Sequence, residues 1–264
     1  METAKKPSYG FVAWKYFASM AVIGLGGLTI VLASFLFQLS PLFNWLLRLA
    51  GASIAFIGLY IGTAYIFLYE KTFKAKRQGD NWSKIAESSG LKGDEKVLDV
   101  GCGTGRVSIS LAKKLPRGRV EGIDIFEGVS GKSPETAMKN AEAEGVAGRV
   151  NFRYGNALRI PFGDKTFDLV TMGSVLHELH SEKDKEKALR EVYRVLKPGG
   201  KFATIEILRN KKLALSVLLF AFVWKPKEYW SKLIERSGFR NLTMRSFRSL
   251  INLGLFVGEK PTTR

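Results

Sequence analysis

Two stretches of 21 residues, Phe17–Phe37 and Leu49–Tyr69, contain no charged side chain. A helix of that length runs about 31 Å, enough to cross a hydrocarbon core of roughly 30 Å. Residues 38–44 between them are uncharged, with Pro41 as a breaker, so the pattern predicts two antiparallel transmembrane helices joined by a tight turn. A cleaved signal peptide is not expected, because the first stretch is long and a second follows at once. Trp14, Tyr16, Trp45, Tyr65 and Tyr69 stand near the span ends, as an aromatic belt does. Gly58 and Gly62, four apart, suit a close contact between the helices. Lys5, Lys6 and Lys15 precede the first span, Lys71, Lys74, Lys76 and Arg77 follow the second, and the connector has no basic residue. Positive flanks stay inside, so both termini and everything after the hairpin are expected on the cytoplasmic side of an integral membrane protein.

The remaining chain is strongly basic. The net charge is +17; residues 1–70 contribute +2, which leaves +15 for residues 71–264. Such a surface is drawn to an anionic bilayer, to nucleic acid or to an acidic substrate, unless it is only a solvated Lys-rich face. Cys102 is the single cysteine, so no intrachain disulfide can form, in keeping with a reducing compartment. With two histidines and one cysteine, no metal-ligand cluster is expected.

After residue 78 the apolar pattern alternates between strands and helices. Strands are expected at Lys96–Val100, Arg119–Ile123, Val150–Tyr154, Phe167–Thr171 and Phe202–Ile207. Helices are expected at Arg106–Lys114, at Pro134–Glu144 with Ser133 as N-cap, at Glu182–Leu196 ended by Pro198-Gly199-Gly200, and at Pro226–Ser237. The alternation implies an α/β, doubly wound, mostly parallel Rossmann-like sheet behind a transmembrane α-hairpin. The expected division is hairpin 1–70, a basic juxtamembrane linker and lead-in helix 71–90, and a catalytic domain 91–264 with an apolar insertion at 208–225.

The first strand runs into Asp99-Val-Gly101-Cys102-Gly103-Thr104-Gly105. Glycines there let the backbone turn tightly and approach a ligand at a helix N-terminus. A dinucleotide fingerprint wants a third glycine at position 106, which is Arg; a phosphate loop wants Gly-Lys-Ser/Thr, where the chain has Gly105-Arg106-Val107. Neither fits. Nineteen residues after Gly105 stands Asp124, at the end of the second strand, where a carboxylate can accept from both hydroxyls of a ribose. The site therefore suits a nucleoside without an obligatory pyrophosphate, although a turn carboxylate and a helix cap are the bland readings of Asp99 and Asp124.

Val97–Gly105 resembles motif I of the class I S-adenosylmethionine-dependent methyltransferases. Gly155–Phe162 followed by Phe167–Val170 resembles their adenine-contact motif and fourth strand, and Arg190–Gly200 the approach to their fifth strand. The resemblance covers about residues 80–260 and is nearest the branch containing ubiquinone/menaquinone-biosynthesis and other small-molecule and lipid methyltransferases. It implies S-adenosylmethionine as cofactor and S-adenosylhomocysteine as product. It implies that Asp99 and the Gly101–Gly105 backbone (with Cys102, Gly103 and Thr104) hold the methionine end. Asp124 would hold the ribose, Ile125 would lie against the adenine, and Asn156 and Ala157 would sit at its edge. Many relatives have Asp where this chain has Asn156, whose amide can donate to or accept from the adenine edge.

Candidates for a general base are His177, after the fourth strand, and Glu206, at the end of the fifth. His180 shares a face with His177 if the segment is helical. The bland readings are a packed or solvated histidine and a carboxylate paired with a lysine. Leu213–Trp224 is twelve uncharged residues between Arg209, Lys211, Lys212 and Lys225, Lys227; it suits an interfacial helix forming a lid for a lipophilic acceptor, or else a core helix. Residues 201–264 carry a local +9, attractive to an anionic leaflet. The expected function is methylation of a lipid or other membrane-embedded small molecule, with a homo-oligomer compatible. A protein or RNA methyltransferase and a non-catalytic cofactor-binding scaffold are the alternatives; nucleic acid is disfavoured because no RNA-binding module or stacking motif is seen.

Overall fold

The computed structural model describes residues 13–37, 39–72, 78–127, 133–209, 224–247 and 252–262. Among them the chain divides into two compact units, one within Phe11–Ala75 and one within Lys76–Arg264.

The first unit is a helical hairpin, α1 (Ala13–Leu36) and α2 (Pro41–Thr72). Its apolar stretches, Phe17–Leu36 and Pro41–Thr63, are long enough to cross a membrane. Small residues set the crossing. A Cβ on Gly27 would lie 2.6 Å from the Gly51 carbonyl, and one on Gly58 2.7 Å from the Gly24 nitrogen, so backbone meets backbone at both points. Gly62, expected to share this contact, has only ordinary clearance, 3.4 Å from Met20 Cβ. Pro41 does not break the chain in mid-connector. It is the first residue of α2, where its missing N–H is harmless, and Phe43 N donates to Ser40 Oγ just ahead of it. The second helix thus begins eight residues before Leu49 and takes in Arg48. Arg48 Nε donates to the buried Ser34 Oγ at 3.0 Å, and its guanidinium lies 3.7 Å from the Phe35 ring centroid. Outward, Val22, Leu25, Leu32, Leu42, Phe56 and Leu59 are all exposed.

The second unit is a seven-stranded sheet of β1 (Lys96–Val100), β2 (Arg119–Asp124), β3 (Val150–Tyr154), β4 (Phe167–Gly173), β5 (Leu196–Ile207), β6 (Arg240–Phe247) and β7 (Leu253–Glu259). Its order is β3-β2-β1-β4-β5-β7-β6. Strands β1 to β5 pair in parallel, and β7 runs antiparallel to both β5 and β6. Helices α3 (Gln78–Ser89), α4 (Arg106–Lys114), α5 (Pro134–Ala143), α6 (Glu182–Val195) and α7 (Lys227–Arg236) cover it. Val97, Leu98 and Val100 of β1 are buried on both faces, as a central parallel strand requires. The order reverses between β1 and β4, which opens a crevice at their carboxyl ends.

Local details depart from the sequence pattern. Helix α6 stops at Val195, and Leu196-Lys197-Pro198-Gly199-Gly200 opens β5 as an irregular stretch: Phe167 pairs with Leu196, but Leu169 pairs with Lys201. Ser133 stands at the N-cap of α5 without a side-chain capping bond. The lead-in helix expected within residues 71–90 is α3, and its Ile85 and Ala86 are buried against the catalytic unit. Of the apolar insertion at 208–225, residues 210–223 lie outside the described residues, so the expected helix over Leu213–Trp224 does too, apart from Trp224. Its base is described: Arg209 donates from N to the Lys225 carbonyl and from Nε to the Trp224 carbonyl, at 3.0 and 2.9 Å.

Candidate active site

The glycine loop fills one side of the crevice. Gly101, Gly103 and Gly105 have φ of +75, +52 and +83, conformations that side chains resist. Gly101 and Cys102 both donate to the Ile123 carbonyl, at 2.7 and 3.1 Å, which folds the loop over β2. A Cβ on Gly105 would lie 2.9 Å from Phe152 Cζ, so that glycine serves packing. A Cβ on Gly103 would meet nothing within 4 Å, which leaves open space beside the loop for a ligand, while its N–H is held by Asp124. The Thr104 carbonyl accepts from Asn140 Nδ2 at 2.9 Å, fixing the loop to α5.

Asp99 lies beneath the loop, 1% exposed. Its Oδ2 accepts from Ser108 Oγ at 2.6 Å and its Oδ1 from Thr171 Oγ1 at 2.9 Å. Burial pushes its pKa up to about 6, against the opposing pull of the two hydroxyls. The carboxylate therefore ties β1, α4 and β4 together first, and meets a ligand ammonium only with the acceptor positions left over. Cys102 is buried, and burial with the neighbouring Asp99 and Asp124 charges raises its thiol well above the usual range. It is packing, not a nucleophile.

Asp124 ends β2 with both oxygens preset: Oδ2 accepts from Gly103 N at 2.8 Å and Oδ1 from Phe126 N at 2.7 Å. Each oxygen retains an acceptor position, the requirement for gripping a pair of vicinal hydroxyls. Ile125 is 50% exposed beside it. Phe126 adopts φ +53 and meets the exposed Tyr154 ring edge-on at 5.2 Å. Asn156 is exposed, and its Oδ1 accepts from Leu158 N at 2.8 Å in a local turn; Ala157 packs against the core.

Across the crevice, His177 and Glu206 are brought together. His177 Nδ1 lies 2.7 Å from Glu206 Oε2. Glu206 is fully buried, and its other oxygen accepts from Leu176 N at 3.2 Å and Thr204 Oγ1 at 3.0 Å. The lysine-pair reading of Glu206 is thus replaced by a histidine partner. Burial by itself would lower the His177 pKa, but the hydrogen bond and charge of Glu206 outweigh it, and the net shift is upward. His180 does not join the pair: Leu176–Glu178 is a single 3₁₀ turn, and His180 is exposed beyond it. The buried Lys185 donates to the Leu179 carbonyl and steadies this turn.

Three residues had no signal in the sequence. Ser174 bends the chain out of β4 with φ +59 while donating to the Ile205 carbonyl. Val175 fills the space a Gly101 side chain would need. Trp82 of α3 lies over Gly173 at the end of β4. None of them belongs to a spaced motif; each is read only from the assembled crevice.

Residues 97–200 match the family described as "Methyltransferase domain". A demethylmenaquinone methyltransferase from Staphylococcus aureus is 32% identical over 197 residues, covering 63% of this chain and 77% of that protein. The chain belongs to the class I S-adenosylmethionine-dependent methyltransferases. A demethylmenaquinone methyltransferase from Lactiplantibacillus plantarum is 44% identical over 117 residues, 44% of this methyltransferase and 46% of that enzyme, so the chain spans about half the length of that relative. A methyltransferase structure from Methanosarcina mazei shares the fold, with a TM-score of 0.56 and 24% identity over 67% of this chain and 97% of that one. The cofactor of that family is S-adenosylmethionine, and the residues present fit it: open space beside Gly103, a preset diol acceptor at Asp124 and an exposed apolar face at Ile125.

Proposed function

We propose that this methyltransferase is held in a membrane by its hairpin and methylates a lipid-soluble acceptor, an isoprenoid quinol precursor, at the cytoplasmic face. The His177–Glu206 pair carries the acceptor class. A base oriented by a buried carboxylate is useful only if the acceptor sheds a proton as it gains a methyl group. A phenolic quinol does so, and becomes a stronger nucleophile when its hydroxyl is deprotonated. The relatives' names supply the quinone chemistry.

When bound, S-adenosylmethionine supplies an electrophilic methyl on a sulfonium. The Gly101–Gly105 backbone and the spare acceptor positions of Asp99 hold its amino-acid end; Asp124 holds the ribose; Ile125, Asn156 and Ala157 flank the base. His177, its Nδ1 engaged by Glu206, takes the acceptor proton at Nε2 and releases it to solvent. Orienting the acceptor in a dry crevice is worth about 7–11 kcal/mol in favourable cases.

Membrane residence is supported by the outward Val22, Leu25, Leu32, Phe56 and Leu59, which in water would be an aggregation surface. A cytosolic catalytic unit is supported by the basic flanks of the hairpin, and the +9 of residues 201–264 favours an anionic leaflet.

The test supplies methyl-labelled S-adenosylmethionine to the purified full chain. The acceptors are vesicles carrying a reduced demethylated naphthoquinol, vesicles of phosphatidylethanolamine, and total RNA and protein. Label in the quinol is expected. Label in the ethanolamine lipid would sink the acceptor reading, and label in RNA or protein would sink the membrane-substrate reading altogether. Release of the chain from membranes by alkaline carbonate would sink the anchor.

A further inference from the structure

Methyl transfer as described leaves one buried charge unused. Lys185, in the first turn of α6, is only 7% exposed. Its ammonium donates to the Leu179 carbonyl, and among the described residues it joins no ion pair. A lysine is almost never buried without a carboxylate partner, because its charge is strongly disfavoured out of water. Burial and the facing Lys225 both push the Lys185 pKa below its ordinary value. A methionine would fill the same space without that penalty. A charge kept at such a position calls for an electrostatic reason.

The geometry supplies one. Leu179 closes the 3₁₀ turn Leu176–Glu178 that carries His177. Ser181 caps α6 two residues later: its Oγ accepts from Asp184 N at 3.0 Å and its carbonyl from Lys185 N at 3.2 Å. Lys185 thus grips, with its side chain, the end of the turn from which its own helix starts. His177 stands between opposed charges. From β5, the buried Glu206 lies 2.7 Å from its Nδ1 and favours the imidazolium, and Glu178 on the same turn adds to that pull. From α6, the charge of Lys185 opposes both. Lys185 is itself attracted by Glu206, and by Glu182 and Asp184 of its own helix. A general base accepts a proton only when neutral, so a carboxylate partner with no counterweight would hold it charged and idle.

We propose that Lys185 is a positioning residue for the His177 base: through the Leu179 carbonyl it fixes the turn, and its ammonium offsets the Glu206 charge, so the imidazole stays free to accept a proton. The proposal rests on the reading of His177 as general base and adds a third member to its pair with Glu206.

The chain has two histidines, and His180 is exposed outside the pair, so a His180→Gln background leaves a single imidazole to follow. Nuclear magnetic resonance of labelled histidine, on the full chain in detergent saturated with S-adenosylhomocysteine, reads its titration midpoint. Lys185→Met should raise that midpoint by about 0.5–1 pH unit, since removing a nearby cation favours the imidazolium. Lys185→Gln, a neutral donor, should raise it too, and Lys185→Arg, which keeps the charge, should restore the wild-type value. In turnover of the reduced demethylated naphthoquinol in vesicles, the acid limb of kcat should follow the midpoint upward. For Lys185→Met that is a loss of about three- to tenfold on the acid limb, recovered at high pH, with KM little changed. Purely structural damage would cost rate at every pH. With the wild-type limb tracking His177, an unchanged or lowered midpoint in Lys185→Met overturns the role of Lys185 alone. A wild-type limb that ignores the His177 midpoint sinks the base reading, and the role with it. No methylation of the quinol sinks the acceptor reading and leaves the midpoints to decide for Lys185. Should Lys185→Met not fold, a wild-type midpoint in Lys185→Gln overturns the role by itself.

Discussion

Replacing Asp99 with Asn should stabilise the ligand-free protein while weakening its hold on the cofactor. Asp99 is 1% exposed, and burial lifts its pKa from 3.8 to about 6 even though Ser108 and Thr171 both donate to it. A carboxyl whose folded-state pKa is raised keeps its proton longer in the folded chain than in the unfolded one. The penalty is absent below pH 3.8, grows up to about pH 6 and is constant above. At about 1.4 kcal/mol per pH unit, the full penalty is about 3 kcal/mol. For a unit of this size that corresponds to about 6–12 °C in Tm. Asn keeps the shape, carries no charge, and its amide can donate to one of the two hydroxyls. Thermal melts of the full chain in detergent, from pH 4 to 8, should therefore show the variant and wild type converging near pH 4. They should separate in favour of Asp99→Asn by pH 7. S-adenosylmethionine carries two positive centres, on sulfonium and ammonium, and should raise wild type more than the variant. A variant less stable than wild type at pH 7, or a difference that ignores pH, would refute the dominance of burial at this carboxylate.

Asp124→Ala should weaken S-adenosylmethionine binding by about a hundredfold or more in calorimetry, since hydrogen bonds to a charged acceptor are worth about 1.5–3 kcal/mol each. Gly105→Ala drives a methyl to 2.9 Å from Phe152 at φ +83 and should lower Tm and abolish cofactor binding. Gly103→Ala, facing open space, should lose cofactor affinity with a smaller change in Tm. Glu206→Gln removes the charge that holds the His177 pKa up; a base works only when deprotonated, so the acid limb of the rate profile should move to lower pH while kcat falls about 10²–10⁴-fold. Met20→Cys with Gly62→Cys should form a disulfide on mild oxidation, because a Cβ on Gly62 lies 3.4 Å from Met20 Cβ; absence of the cross-link would contradict the hairpin crossing.

The strands and most helices were legible because each has one dominant period and a clear terminator. Lys96–Val100 is short, apolar and stopped by glycine; Glu182–Val195 buries Ala188, Leu189, Val192 and Val195 on one stripe. What sequence could not place were junctions decided by tertiary pairing. Leu196 leaves α6 because Phe167 offers a strand partner, so the Pro-Gly-Gly that looked like a helix stop is instead a bulged strand start. Pro41 reads equally well as a breaker or a first helical residue, and only the continuation through Arg48 decides. In the candidate site, Asp99 and Asp124 could be picked out from spacing as candidates, and the structure brings both to the glycine loop. His177 and Glu206 were each candidates on their own, but 29 residues separate them, and no local pattern announces their bond. Trp82 lies almost a hundred residues from His177 and was invisible for the same reason.

The juxtaposition of Val175 and Gly101 has a consequence for how the two halves of the crevice work together. A side chain on Gly101 would collide with Val175 Cγ2, so the turn that carries His177 rests directly on the Gly101–Gly105 loop. Ser174 is held at φ +59 by its bonds to Ile205, and His177 by Glu206, both from β5; the turn therefore has few ways to move that do not also move the glycine loop. Packed interiors transmit such displacements rather than absorb them. Ordering of the Gly101–Gly105 backbone around a ligand should accordingly tighten the His177 turn. Acceptor binding should then be stronger in the presence of S-adenosylhomocysteine than in its absence, and by reciprocity the acceptor should tighten S-adenosylhomocysteine by the same factor. Two independent affinities would mean that the Val175 contact is merely packing.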